Sequence, residues 1–133
     1  RLLLDFRIHP GMDHEQVGQF LDKGFEQAGI DGFQRTLHFY MPGGEIPQDD
    51  RFVKLCLEER ERQFGIKSDP QPFDASCEQC FLAREGIQTV ICGPGDIAQA
   101  HTVGEFTWEK QVRDAVSLYE RIIDRVLYKA NYI

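Results

Sequence analysis

No run of apolar residues in this 133-residue chain approaches the roughly 20 needed to cross a bilayer, so a membrane-spanning helix is excluded. Basic clusters are just as scarce. No Lys/Arg group exceeds a pair, and 22 acids against 15 bases give a net charge of −7 and an isoelectric point near 5.0. Binding to a phosphate backbone demands a concentrated basic face, so nucleic acid is not an expected partner. Internal repeats and low-complexity tracts are missing, which excludes solenoids and flexible linkers. The first residues carry no charged and apolar targeting leader and no start methionine, and cytoplasmic residence is the expectation. "RLLLDFRI" opens directly on an apolar alternation, as though a strand had been cut at its edge, and a piece of a longer protein is therefore expected.

Cysteine is present but sparse. Cys56, Cys77, Cys80 and Cys92 lie in apolar or helix-like settings in a chain long enough for a core, so they read as mostly buried thiols and not as a disulfide framework. Cys77 and Cys80 have the spacing of a redox dithiol at the start of a helix. That motif needs a preceding strand, which is lacking, and no second such pair completes a four-cysteine zinc site.

What is there alternates between β-like and helical patterns. Residues 2–8 place Leu2, Leu4, Phe6 and Ile8 on one face of a predicted strand and Arg7 on the other. Asp13 and Gln16 form a capping-box pattern ahead of Val17, Phe20, Leu21, Phe25 and Ala28, a helix that ends at Gly29. Residues 32–41 form a second extended segment, and "PGGEIPQDD" marks a hinge near 42–48. From Asp50 a helix runs to Gly65, its outer face the charged "EERER", which reads as solvated. A short helix over "CEQCFLAREG" ends at Gly86, and "IQTVIC" is a short strand entering a Gly-Pro-Gly turn. Val112, Val116, Tyr119, Ile123 and Val126 stripe a closing helix expected to pack on a sheet. The fold class is therefore α/β, with further strands supplied by other residues or shared between the two halves.

His101 stands out among the four histidines because it follows a strand end and a Gly-Pro-Gly turn, where α/β proteins keep their sites. One imidazole does not hold a catalytic metal, which typically takes three protein ligands. On chemistry alone, a structural turn histidine and a ligand with distant companions both remain open.

The strings "LDFR" with "PGM" and "GPGDIAQAH" followed by Glu105 resemble the C-terminal third of the acetylornithine deacetylase and succinyl-diaminopimelate desuccinylase family of metallohydrolases. The resemblance covers essentially the whole chain, and over residues 30–75 it lies in layout more than in motif. It implies a two-domain enzyme, with a smaller α+β lid or dimerisation domain inserted into a catalytic α/β domain. Residues 1–44 would end the lid domain, and residues 45–133 would form the C-terminal segment of the catalytic domain. It further implies two zinc ions, with cobalt as a substitute, and His101 as a ligand to one of them. The other ligands and the general base would lie upstream of this chain. Arg7 would grip the carboxylate of an N-acyl amino acid substrate, and Ser76 and Glu78 would line its pocket. The intact enzyme would be a homodimer that hydrolyses the amide bond, and this chain alone would be inactive. Cys77 interrupts the pocket segment, and Val103 and Gly104 stand where many members have Pro and Asn or Asp, which bears on the substrate.

Two other classes compete. A non-catalytic association module would pair through the first strand and helix, using an uncovered edge. A redox protein would act through Cys77 and Cys80.

Overall fold

The structure is a computed structural model that describes residues 1–128. Its regular elements are four α-helices, α1 His14–Gln27, α2 Arg51–Phe64, α3 Gln79–Arg84 and α4 Glu109–Tyr128, and one 3-10 turn at Ile97–Gln99. The chain divides into two compact units. One comprises Arg1–Glu45 and Ala75–Gln88, the other Ile46–Asp74 and the chain from Thr89 onward.

In the first unit, α1 starts where the sequence pattern places it. Asp13 accepts the Gln16 backbone N–H at 2.9 Å, and the Gln16 side chain accepts the Asp13 N–H at 2.9 Å, so two of the orphan donors at the helix start are satisfied reciprocally. At the other end Gly29 adopts φ +68°, and Gly29 and Ile30 donate to the carbonyls of Glu26 and Phe25. That is the Schellman pattern, and Gly86 with Ile87 repeats it after α3.

Residues 33–40 run against α1 through side chains. Phe33 meets Phe25 with ring centroids 4.8 Å apart, Tyr40 meets His14 at 4.9 Å, and Arg35 forks onto Asp22 at 3.1 and 3.2 Å. The order of these partners makes the segment antiparallel to the helix. Gly18, buried in α1, leaves the room that the Arg35 guanidinium occupies.

In the second unit α2 and α4 pack antiparallel. Asp50 caps α2 by accepting the Phe52 N–H at 2.7 Å, and Gly65 closes it at φ +69°. Val53 and Leu55 of α2 are buried, as are Ala115 and Leu118 of α4. Arg125 reaches Glu58 and Glu59 on α2, and the Gln63 amide, nearer the C-terminal end of that helix, donates to the Asp114 carbonyl at 2.7 Å.

Three expectations are corrected. Among the described residues there is no β-strand, so residues 2–8, 32–41 and 87–92 do not form the expected strands and do not share a sheet. A strand is stable only with a ladder partner. Residues 33–40 take side-chain contacts with α1 instead, and Tyr119 anchors the last segment by donating to the Cys92 carbonyl at 2.7 Å. Second, Ala115 and Leu118 are the buried residues of α4, while Val112, Val116, Tyr119 and Ile123 of the predicted stripe are exposed and Val126 is half-buried. Third, the "EERER" run is not wholly solvated, because Glu59 is only 3% exposed. Its carboxylate takes Arg62 at 2.7 Å and Arg125 at 2.8 Å, which compensates the burial of the charge.

The four cysteines are free thiols as expected, though only Cys80 is fully buried and Cys92 is exposed. No helix among the described residues is long and apolar enough to cross a membrane.

Candidate functional site

Two of the sequence-predicted site residues, 69 positions apart, meet in the first unit. Arg7 Nη1 donates to the Ser76 hydroxyl at 3.2 Å. Backbone packing around a glycine pair brings them together. A Cβ on Gly43 would lie 2.6 Å from Pro10 Cα, and one on Gly44 would lie 2.7 Å from Cys80 Cα. Only residues without a side chain allow residues 9–10 and 79–80 to approach the same short segment so closely. The glycines of "PGGE", inside the predicted hinge, are packing surfaces in the first unit. The doubled glycine is the signal that sequence offers, but its contacts lie far away along the chain.

The Arg7 guanidinium remains open to solvent, with its side chain 77% exposed and Asp5 Oδ2 at 4.0 Å from Nη2. A planar cation with several N–H donors in fixed directions is suited to a carboxylate. Glu78 is the N-cap residue of α3, exposed and without a side-chain capping bond. It lies two positions from Ser76 and has no contact with Arg7 comparable to that of the hydroxyl.

Next to Glu78, Cys77 and Cys80 are tied by a bond from the Cys80 thiol to the Cys77 carbonyl at 3.1 Å. That bond directs the buried sulfur at local backbone.

In the second unit the Gly-Pro-Gly turn leads into the 3-10 turn, which Asp96 caps by accepting the Ala98 N–H at 2.9 Å. His101 follows with φ +62°, and no other non-glycine residue among those described has a positive φ. Histidine is among the residues enriched in this left-handed region, but the conformation is still strained. Glu105 holds the turn by accepting the His101 backbone N–H at 2.9 Å, and Thr102 adds a bond from its hydroxyl to the Gln99 carbonyl at 2.7 Å. His101 is exposed. The spacing of His101 and Glu105 is visible in the sequence, but the left-handed backbone is not, because nothing in residue type requires it there.

The same unit holds a cluster of protonated groups. Burial pushes the Cys56 thiol up to about 11, with the nearby Cys92 adding in the same direction. Burial also raises Cys92, partly offset by Arg60, although the residue as a whole is exposed. The Tyr119 phenol is raised by burial and then by Cys92. These shifts favour the neutral thiols, the reverse of what a nucleophilic cysteine requires.

A metal site is not complete here. Among the described residues no three His, Cys, Asp or Glu groups gather to hold an ion. His101 offers one exposed nitrogen donor on a constrained turn.

The family model described as Peptidase family M20/M25/M40 matches residues 8–125, and the chain belongs to that family. An acetylornithine deacetylase of Photorhabdus laumondii subsp. laumondii is 25% identical over 138 aligned residues, covering 98% of this chain and 33% of the relative. An acetylornithine deacetylase of Pectobacterium carotovorum subsp. carotovorum is 26% identical over 126, covering 92% of this chain and 31% of the relative. The chain thus spans about a third of the length of these relatives. No solved structure matches.

Proposed function

We propose that this chain is the C-terminal part of a metal-dependent hydrolase that cleaves the amide bond of an N-acyl amino acid, as the names of its two relatives suggest. The observation that carries this reading is the turn at His101. An exposed histidine sits on a strained backbone whose N–H donates to the Glu105 carboxylate, within the part of the chain that matches the family. Strain of this kind persists where the surroundings over-determine it, and it concentrates at functional sites.

In this reading residues 1–44 belong to an α+β lid or dimerisation domain and residues 45–133 to the catalytic α/β domain. His101 supplies one ligand to a pair of zinc ions, for which cobalt can substitute, and residues upstream supply the others. Bound metal would polarise the acyl carbonyl and acidify a water molecule. Arg7 would take the substrate carboxylate, with Ser76 and Glu78 beside it. The parent enzyme would be a cytoplasmic homodimer, and the present chain alone would be inactive because it lacks the remaining ligands.

The test is expression of a parent chain of the relatives' length. Hydrolysis of an N-acetyl amino acid should disappear with a chelator, return with zinc or cobalt, and be lost in His101→Ala along with bound metal. Chelator-insensitive hydrolysis would remove the metal from the reading.

A second reading has its own observation. Leu2 and Leu3 are 73% and 75% exposed and have no ladder partner among the described residues, as an association segment would be. It predicts a stable oligomer that needs no zinc.

A further inference from the structure

Arg7 poses a problem of order. An exposed arginine carries about 2 kcal/mol of rotamer entropy, and a guanidinium free to sample that range is a poor clamp until it is fixed. The structure gives it a partner at one corner. Nη1 donates to Ser76 Oγ at 3.2 Å, and Ser76 is presented by the segment that enters α3. That segment is itself located by backbone, with Gly44 against Cys80 Cα and Gly43 against Pro10, three residues beyond Arg7. Both ends of the contact are therefore anchored by the same glycine pair.

The chemistry of the partner matters as much as its position. A carboxylate at this place would neutralise the guanidinium and compete with an anionic ligand. A hydroxyl accepts one N–H and leaves the charge intact. The carboxylate that is present, Asp5, stands 4.0 Å from Nη2, and both side chains of that pair are about four-fifths exposed, at 77% and 83%. A pair so exposed is weak and would yield to a better-aligned ligand.

We infer that Ser76 is a positioning residue. It pre-orients Arg7 so that the remaining N–H groups of the guanidinium face a substrate carboxylate, and it thereby sets selectivity for N-acyl amino acids over N-acyl amines. This rests on the proposed reading of Arg7 as the carboxylate-gripping group. It changes the role expected for Ser76, from a residue that touches substrate to one that acts through Arg7.

The experiment uses the parent chain at the relatives' length and a pair of ligands, an N-acetyl amino acid and its decarboxylated N-acetylamine counterpart. The amine is followed as a substrate or, where its turnover is slow, as a competitive inhibitor. Ser76→Ala should raise KM for the carboxylate substrate about tenfold, the scale of one lost charge-assisted hydrogen bond, with kcat unchanged. It should leave the decarboxylated ligand unaffected. Ser76→Thr keeps the hydroxyl and should restore KM to within about threefold, within the scatter of single-contact effects. Arg7→Ala should show the same selectivity with a larger effect.

A selective loss in Arg7→Ala with none in Ser76→Ala would overturn this inference and leave the functional reading standing. Equal losses for both ligands in Ser76→Ala would also overturn it, since a merely structural role predicts that result. A parent chain that cleaves no N-acyl amino acid would overturn the functional reading and this inference with it.

Discussion

Arg125 on α4 donates to the carboxylate of Glu59 on α2 at 2.8 Å, and the Glu59 residue is 3% exposed. Arg125 Nη1 also donates to Glu58 at 2.8 Å, and the two acids raise its already high pKa through hydrogen bonds, Glu58 first and then Glu59. Removing one member of a buried pair leaves an uncompensated charge, whereas replacing both with apolar groups removes the desolvation penalty as well. Arg62 still donates to the Glu59 carboxylate at 2.7 Å, so Arg125→Ala should lower stability in urea unfolding by about 1–3 kcal/mol, less than a wholly unpaired buried charge costs. The double change Glu59→Leu with Arg125→Met should recover most of the loss. If the double variant is as unstable as the single one, the pair is not the source of the effect.

The glycines give a pair of predictions with opposite signs. Gly43→Ala places a Cβ 2.6 Å from Pro10 Cα, and backbone does not swing aside as a flexible side chain does. A loss of about 1–3 kcal/mol is expected, the usual scale for overpacking. Gly24 lies within α1, and a Cβ added there would meet nothing within 4 Å. Gly24→Ala should stabilise by about 0.5–1 kcal/mol through helix propensity alone. Thermal unfolding of the two variants beside the wild type checks both signs.

The buried thiol predicts how stability changes in alkali. Cys56 titrates at about 11 in the folded chain against an ordinary 9.0, mainly because burial disfavours the thiolate. The folded form thus keeps its proton where the unfolded form releases it. The contribution to stability is complete below pH 9.0 and is lost as the pH rises through about 11. Cys92 and Tyr119 shift in the same direction. The melting temperature should fall across that window, and Cys56→Ala should flatten the fall. An unchanged slope in the variant would assign the alkaline loss to other groups.

Helices are the legible part of the fold because their signals are local. Asp13 with Gln16, Asp50, Gly29, Gly65 and Gly86 stop or start helices within a turn of where they stand. The expected strands fail because alternation at Leu2, Leu4, Phe6 and Ile8 describes only one half of a ladder. Among the described residues no partner completes it. Glu59 is hidden inside a charge run for a related reason. Its burial depends on Arg125, 66 residues away, and no pattern within "EERER" distinguishes it from Glu58 or Glu61. At the site, residue types, spacing and family resemblance point to Arg7, Ser76, Glu78 and His101. The Arg7–Ser76 contact and the left-handed backbone of His101 are properties of packing and emerge only in three dimensions.

That backbone separates two roles for His101 that sequence leaves open. At φ +62° a side chain bearing a Cβ is strained by about 1–2 kcal/mol, and glycine is not. His101→Gly keeps the backbone N–H that donates to Glu105, so the turn should persist and the chain should gain about 1 kcal/mol of stability. Part of the strain relief is offset by the greater freedom of glycine in the unfolded chain. His101→Ala keeps the strain and should gain nothing. In a parent chain of the relatives' length, both variants should lose bound metal and turnover if the imidazole is a ligand, even though one of them is more stable than the wild type. A His101→Gly parent that is stabilised and still fully active would make His101 a turn residue and remove it from the metal centre.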